Sequence, residues 1–285
     1  NMSNTRRSFL RQTALAGLAL ATPFSKELMA MSTTQRKFGI QLWTVKDALY
    51  KDPIAVFKHL SASGYKHIES FEGAKSMFWG MKNTEFKKLM DDLGMKVVSS
   101  HCDISNDFDR KCAEAAEIGM KYLICPYKGA QKSLDNYKNF ADEFNKCGEI
   151  ANKHGLRFAY HNHDYSFIPM EGVLPQDIMM QETDPALVDF EMDIYWVKAA
   201  NQDPVAYMKK YPNRFKLCHV KDYTTIPGGH ESCILGKGTI DFKKVLHEGS
   251  KLGLEYYIVE QEAYTGTNEL YAAKADAAYM KKLTW

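Results

Sequence analysis

No two of the six cysteines (Cys102, Cys112, Cys125, Cys147, Cys218, Cys233) stand at CxxC or similarly close spacing. A disulfide framework is therefore not expected, although an oxidising compartment would permit one bridge. Cys102, Cys125 and Cys218 fall in or beside apolar, strand-like runs, where a buried free thiol is the usual occupant. Charge of one sign is also missing. The chain has 37 basic and 35 acidic residues, net +2, so no basic surplus advertises a polyanion, and a nucleic-acid partner is not expected. Long apolar runs are absent too. The small, apolar stretch at residues 13–22 is too short to be a permanent membrane span. Gly236-Lys237-Gly238 lacks the full spacing of a P-loop, which removes the obvious phosphate cradle.

What is present begins with Arg6-Arg7 ahead of that short apolar stretch. The pair reads as a twin-arginine export signal and places the protein in the periplasm; an amphipathic N-terminal helix is the alternative. With a processing point near Ala30, residues 1–30 are set aside and 31–285 remain for the fold. The 45% apolar and 25% charged composition is that of an ordinary globular protein, and a chain of this length can fold as one domain.

After residue 35, short β-rich runs alternate with capped helical stretches eight times. The expected strands are 38–43, 67–71, 96–101, 122–126, 156–163, 187–193, 215–221 and 256–262. Their spacing is that of βα units, and several are apolar throughout, as strands covered on both faces must be. Asp52-Pro53 and Asp203-Pro204 open helices with a cap and a first-turn proline, Ser133 caps a long one, and Gly64, Gly94 and Gly253 close others. Strict alternation favours a single (β/α)8 TIM barrel, an α/β fold, over an open doubly wound sheet.

Barrel enzymes place their working groups at the C-terminal ends of strands. Those ends carry Glu69, His101, His161, Asn162, His163 and Asp164, Glu191 and Asp193, His219, Lys221 and Asp222, and Glu260 and Glu262. Residues two apart on a strand share a face, so four strands each present a like-facing polar pair. Inward charges must be paired or bind metal, and this hard-oxygen and imidazole set suits Mn²⁺, Mg²⁺, Co²⁺ or Zn²⁺.

The runs Val188-Asp189-Phe190-Glu191-Met192-Asp193-Ile194-Tyr195-Trp196-Val197, Cys218-His219-Val220-Lys221-Asp222, Gly236-Lys237-Gly238-Thr239-Ile240-Asp241-Phe242 and Ile258-Val259-Glu260-Gln261 resemble the sugar phosphate isomerase/epimerase family. These are xylose isomerase-like TIM barrels of the AP endonuclease family 2 superfamily. Tyr160-His161-Asn162-His163-Asp164 resembles an exported bacterial subgroup. The resemblance covers roughly residues 36–285 and implies one divalent ion held by a glutamate, an aspartate, a histidine and a glutamate of strands five to eight. Asp193, His219 and Glu260 match the last three. His161 stands where the first glutamate belongs, which removes one of the paired carboxylates that simple epimerases use.

The expected activity is isomerisation, epimerisation or elimination on a keto- or hydroxy-sugar through a metal-stabilised enediolate. A lyase or hydratase of unphosphorylated 3-keto-sugars fits the missing glutamate and the export signal. A catalytically silent sugar-binding barrel and an AP-endonuclease-like hydrolase are the other classes. Glu260, His161 or His163 would move the proton. Lys221 would face the oxyanion, or else form a buried pair with Asp222 or Glu191. Asp222 would orient Lys221 or a loop. Trp43, Glu69, His101, Trp196 and Glu262 are expected to contact the substrate, with core packing the alternative for Trp43. Residues 224–229 are read as a lid, and 236–238 as a turn before a helix. The partner is a small-molecule sugar, and a homo-oligomer is compatible with all of this.

Overall fold

Eight parallel strands close on one another in the order β1 (Gly39–Gln41), β10 (Tyr256–Val259), β7 (Phe215–Val220), β6 (Val188–Asp193), β5 (Arg157–His161), β4 (Tyr122–Cys125), β3 (Lys96–His101) and β2 (His67–Phe71). This computed structural model describes residues 36–285, and Arg36–Trp285 forms one compact unit. The twin-arginine pair and the processing point near Ala30 lie outside the described residues. All eight expected strands are present, and the barrel is closed. No helix among the described residues is long and apolar enough to cross a membrane.

Helices α1 (Lys46–Lys51), α2 (Pro53–Ser63), α3 (Asn83–Asp92), α4 (Phe108–Glu117), α5 (Leu134–Lys153), α6 (Pro175–Glu182), α7 (Ile194–Ala199), α8 (Pro204–Lys210), α9 (Phe242–Lys251) and α10 (Glu269–Lys282) follow the strands. The caps read from sequence are made. Asp52 accepts from Ala55 N–H, Asp203 from Val205 and Ala206, and Ser133 from Asn136. Gly64 ends α2 at φ 107°, a left-handed conformation that costs a Cβ-bearing residue dearly. Between strands and helices lies the main apolar core. Tyr122, Ile124, Ala159 and Leu217 form a separate small cluster that plugs the barrel.

Strand ends are where expectation and structure differ. The first strand stops at Gln41 and Leu42–Val45 is a 3-10 helix, with the Gln41 side chain accepting from Trp43 N–H. The fifth stops at His161 and the last at Val259, short of 163 and 262. Past those points, apart from one bond from Glu260 N–H to Val220 O, side chains take over from the ladder. Asn162 exchanges two hydrogen bonds with the Asp193 backbone, and the Ser232 hydroxyl accepts from Glu262 and Ala263 N–H. Residues 224–229, expected as a lid, belong to a two-stranded hairpin of β8 (Asp222–Ile226) and β9 (Gly229–Cys233). Asp222 holds its base by accepting from the N–H groups of Tyr223, Gly236, Gly238 and Ile240. A Cβ on Gly238 would collide with the Asp222 carboxylate, which explains the glycine. Asp222 therefore orients a loop and not Lys221.

One buried acid makes stability depend on pH. Asp276 of α10 is fully buried, accepts from Leu235 N–H at 2.8 Å, and has no partner for Oδ2. Burial pushes its pKa up to about 7. A folded-state pKa raised above the unfolded value means that stability is fully present below the unfolded pKa. It is then lost as pH rises towards about 7, and the loss levels off above that. Asp276→Asn keeps the acceptor and removes the charge. Its stability gain over the parent is expected to be about 2–3 kcal/mol larger at ~pH 8 than at ~pH 5 in urea denaturation. Equal differences at both pH values would refute this.

Candidate active site

The barrel mouth opens on a cavity of about 530 Å³. Its floor is made by His101, His161, His163, Glu260 and Glu262, and its walls by Trp43, Phe71, Ile104, Pro126 and Tyr127 among others. Aromatic and aliphatic walls over a polar floor suit a ligand with one apolar face and several hydroxyls.

Beneath the cavity, polar side chains from six strands or strand ends form two layers that share His219. In the upper layer, His161 Nε2 lies 3.1 Å from His219 Nδ1 and 3.4 Å from Asp193 Oδ2. His219 Nδ1 lies 3.0 Å from Glu260 Oε2 and 3.5 Å from Asp193 Oδ2. These four residues, expected from sequence as the metal set, are buried together. The remaining ring nitrogens determine which tautomers face the set. His161 Nδ1–H donates to Pro126 O at 3.2 Å, and His219 Nε2–H donates to Glu69 Oε1 at 2.7 Å. With both rings neutral, as ligands must be, two imidazole lone pairs and two carboxylate oxygens would face one another. Without an ion, burial works to lower the His219 pKa, but Glu191, Glu260 and Asp193 outweigh it and hold the pKa well above its ordinary value. A tetrahedral shell with bonds of about 2.0–2.1 Å has edges of about 3.3 Å, close to the spacings here, so the donors fit a divalent ion.

Lys221 is fully buried and reaches Asp193 Oδ2 at 3.4 Å, Glu260 Oε2 at 3.2 Å and Glu262 Oε2 in a short contact. Its partners are thus these three carboxylates, and not the Asp222 or Glu191 expected as its alternative pair. Burial works to lower the Lys221 pKa, but Asp193, Glu260 and Glu262 together hold it above the usual range. Burial works to raise Glu260 and Asp193, yet both are held low, Glu260 by His219 and Lys221 and Asp193 by Lys221 and His161. Glu262 differs. Burial and the neighbouring Glu260 raise its carboxyl against the pull of Lys221, and 36% of its side chain is exposed. His163 is kept neutral, pushed down to about 3 by burial and by His161.

In the lower layer, Glu69 accepts from Gln41 Nε2, Ser99 Oγ and His219. His101 Nε2 lies 2.8 Å from Glu191 Oε2 and 3.3 Å from Glu69 Oε1. Burial raises Glu69, but the imidazoles of His101 and His219 bring it down to about 2, while burial and Glu69 raise Glu191 well above its ordinary value.

Of the residues expected to contact substrate, Trp43, His101 and Glu262 line the cavity. Trp43 is 40% exposed and packs edge-on against Phe71, so it is not part of the core. Glu69 is fully buried below His219, away from the cavity wall. Trp196 sits behind His163, with Lys221 over its ring at 5.0 Å, and is not part of the wall. Sequence reasoning passed over Glu72, Asp103, Tyr127 and Lys128, all of which line the cavity. Each lies just past a strand end, in the loop positions that barrels use for binding.

The comparisons with known proteins agree with this architecture. A family model described as "xylose isomerase-like TIM barrel" matches residues 57–283. An inosose dehydratase of Clostridium beijerinckii is 29% identical over 209 residues, 65% of this chain and 69% of its own. A sugar phosphate isomerase/epimerase of known structure from Parabacteroides distasonis is 28% identical, with a TM-score of 0.75 over 88% of this chain and 96% of its own. A xylose isomerase-like TIM barrel protein from Mycobacterium smegmatis, solved in complex with magnesium, shares the fold at 13% identity, with a TM-score of 0.66 over 88% and 97%.

Proposed function

Because the chain belongs to the xylose isomerase-like TIM barrel family and is a sugar-modifying enzyme of isomerase/epimerase-like type, we propose that it eliminates water from an uncharged keto-sugar or cyclic keto-polyol. One observation carries the reading: the His161, Asp193, His219 and Glu260 donors meet under a sugar-sized cavity whose remaining proton-exchanging floor groups are Glu262, His163 and His101. A divalent ion held by those four donors would supply Lewis acidity to a substrate carbonyl.

The protein's own groups do the rest. Glu262 takes the proton from the carbon beside the carbonyl, and the electron pair left there expels the β-hydroxyl. The hydroxyl leaves as water on the proton that Glu262 took, which restores the Glu262 carboxylate, while neutral His163 stands by to hydrogen-bond the departing oxygen. The products are an unsaturated ketone and one water. As Glu262 becomes neutral, Lys221 keeps Asp193 and Glu260 within reach, so its charge is never left unpaired. Trp43, Phe71 and Tyr127 cover the apolar sugar face and exclude water.

The charge around the cavity favours a substrate without phosphate. Lys128 is the one Lys or Arg on the described cavity wall, and its Nζ donates to Glu143 at 2.6 Å. Glu72, Asp103, Glu260 and Glu262 share that wall. An incoming phosphate would meet carboxylates and a cation already paired. The inosose dehydratase relative supports elimination over isomerisation. The test is incubation with neutral keto-sugars and inososes in deuterated water. Elimination gives an ultraviolet-absorbing enone, whereas isomerisation gives deuterated ketose without it. Neither product would refute the reading.

We propose further that the enzyme works in the periplasm, on the strength of Arg6-Arg7 and the apolar residues 13–22. Replacing both arginines with lysine is expected to leave the full-length chain in the cytoplasmic fraction. Unchanged periplasmic yield would overturn this.

A further inference from the structure

We infer that the lower layer is a second cation site, formed by Glu69, His101, Glu191 and the Nε2 side of His219. The four donor atoms come from four strands, and all four residues are buried. Their neighbouring separations are 2.7 Å (Glu69–His219), 2.8 Å (His101–Glu191), 3.3 Å (His101–Glu69) and 3.4 Å (His219–Glu191). These approach the edge of about 3.3 Å expected for a tetrahedral shell of nitrogen and oxygen. Two imidazoles and two carboxylates suit zinc, manganese or cobalt.

Three further observations point to a ligand. Glu191 Oε1 is buried with no hydrogen-bond partner, in a residue with no exposed surface. Both irregularities in the barrel's strand register also fall at this layer. Pairing shifts between Ile68 and Glu69 on β2, and between Phe190 and Glu191 on β6. Such shifts re-aim side chains at functional sites, and here they set the two carboxylates of one cluster. Finally, five carboxyl groups, Glu69, Glu191, Asp193, Glu260 and Glu262, crowd the two layers around one ammonium, Lys221, an acidic surplus that a bound cation would relieve. The lower ion would take the His219 Nε2 lone pair, releasing to solvent the proton that Nε2 otherwise gives to Glu69. It would close off His219 from below and fix the ring for the upper donors.

The inference stands apart from the sugar chemistry, and ion counting tests it. Protein stripped by chelator and reloaded with Mn²⁺ or Zn²⁺ is analysed for bound metal after gel filtration, in the parent, Glu191→Gln and Glu260→Gln. Two ions in the parent and one in each variant are expected. One ion in the parent, retained in Glu191→Gln and lost in Glu260→Gln, overturns the second site and leaves the upper one standing. One ion retained in Glu260→Gln and lost in Glu191→Gln supports the lower site and removes the upper. No ion in the parent refutes both. Should a variant fail to fold, crystals of the parent grown with Mn²⁺ decide the matter: two anomalous peaks flanking His219 support the inference, and a single peak on the Nδ1 side overturns it.

Discussion

Alanine at position 219 is expected to lower turnover by about 10³-fold or more, about 4 kcal/mol of barrier, and to release the ion from the upper donors. His219 is the one side chain shared by both layers. Its Nδ1 lies within 3.5 Å of Glu260, His161 and Asp193, and its Nε2 donates to Glu69. Removing it costs a ligand and also leaves Glu69 and Glu260 facing each other across an unfilled space inside the barrel. Breaking buried pairs of this kind costs about 3–5 kcal/mol of stability. Turnover, ion content and urea denaturation should therefore be measured on the same preparation. His219→Gln, whose amide can still donate to Glu69, separates the effects: it should recover much of the stability but little of the turnover. Full turnover in a folded, ion-free alanine variant would show that the chemistry lies elsewhere in the cavity.

Glu262→Gln should lower kcat by about 10²–10⁴-fold while ion content stays at the parental level. The contrast with Glu260 is the point. The two glutamates stand two residues apart and both face the cavity, but Glu260 is 6% exposed and is held by His219 and Lys221, whereas Glu262 has 36% of its side chain open. The first is placed to stay ionised as a donor, and the second to exchange a proton. An isosteric amide at 262 leaves Lys221 two carboxylates and keeps the backbone bond to Ser232. Loss of solvent deuterium exchange beside the substrate carbonyl should accompany the loss of kcat. Retained exchange with lost elimination would move the base to another group and leave Glu262 with the leaving hydroxyl. Parental kcat would remove Glu262 from the chemistry altogether, and His163→Asn would then be the informative variant.

Much of this was legible because it depends on local pattern. Alternating apolar runs, the Asp-Pro openings of α2 and α8 and the glycines before strands are short-range features, and a barrel follows from their strict repetition. The two-residue period of strands placed His219 with Lys221, and Glu191 with Asp193, on one face without any knowledge of neighbours. Asp193, His219 and Glu260 also carry the family's motif, and His161 stood out as its departure.

Tertiary structure decided what required distances between strands far apart in the chain. Glu69 and His219 are 150 residues apart, and their 2.7 Å contact moves Glu69 from the cavity wall to a place beneath the histidine. Lys221 had plausible partners next to it in sequence, but the barrel gives it carboxylates from the sixth strand and from beyond the eighth. The register shifts that aim Glu69 and Glu191 into one layer leave no mark on hydrophobic periodicity, since a bulge changes pairing and not composition. Sequence alone determined which residues face inward, because that follows from each strand's own geometry. Which of them meet, and which carboxylate is free to move a proton, depended on closure of the barrel, where burial and neighbouring charge fix every group's state together.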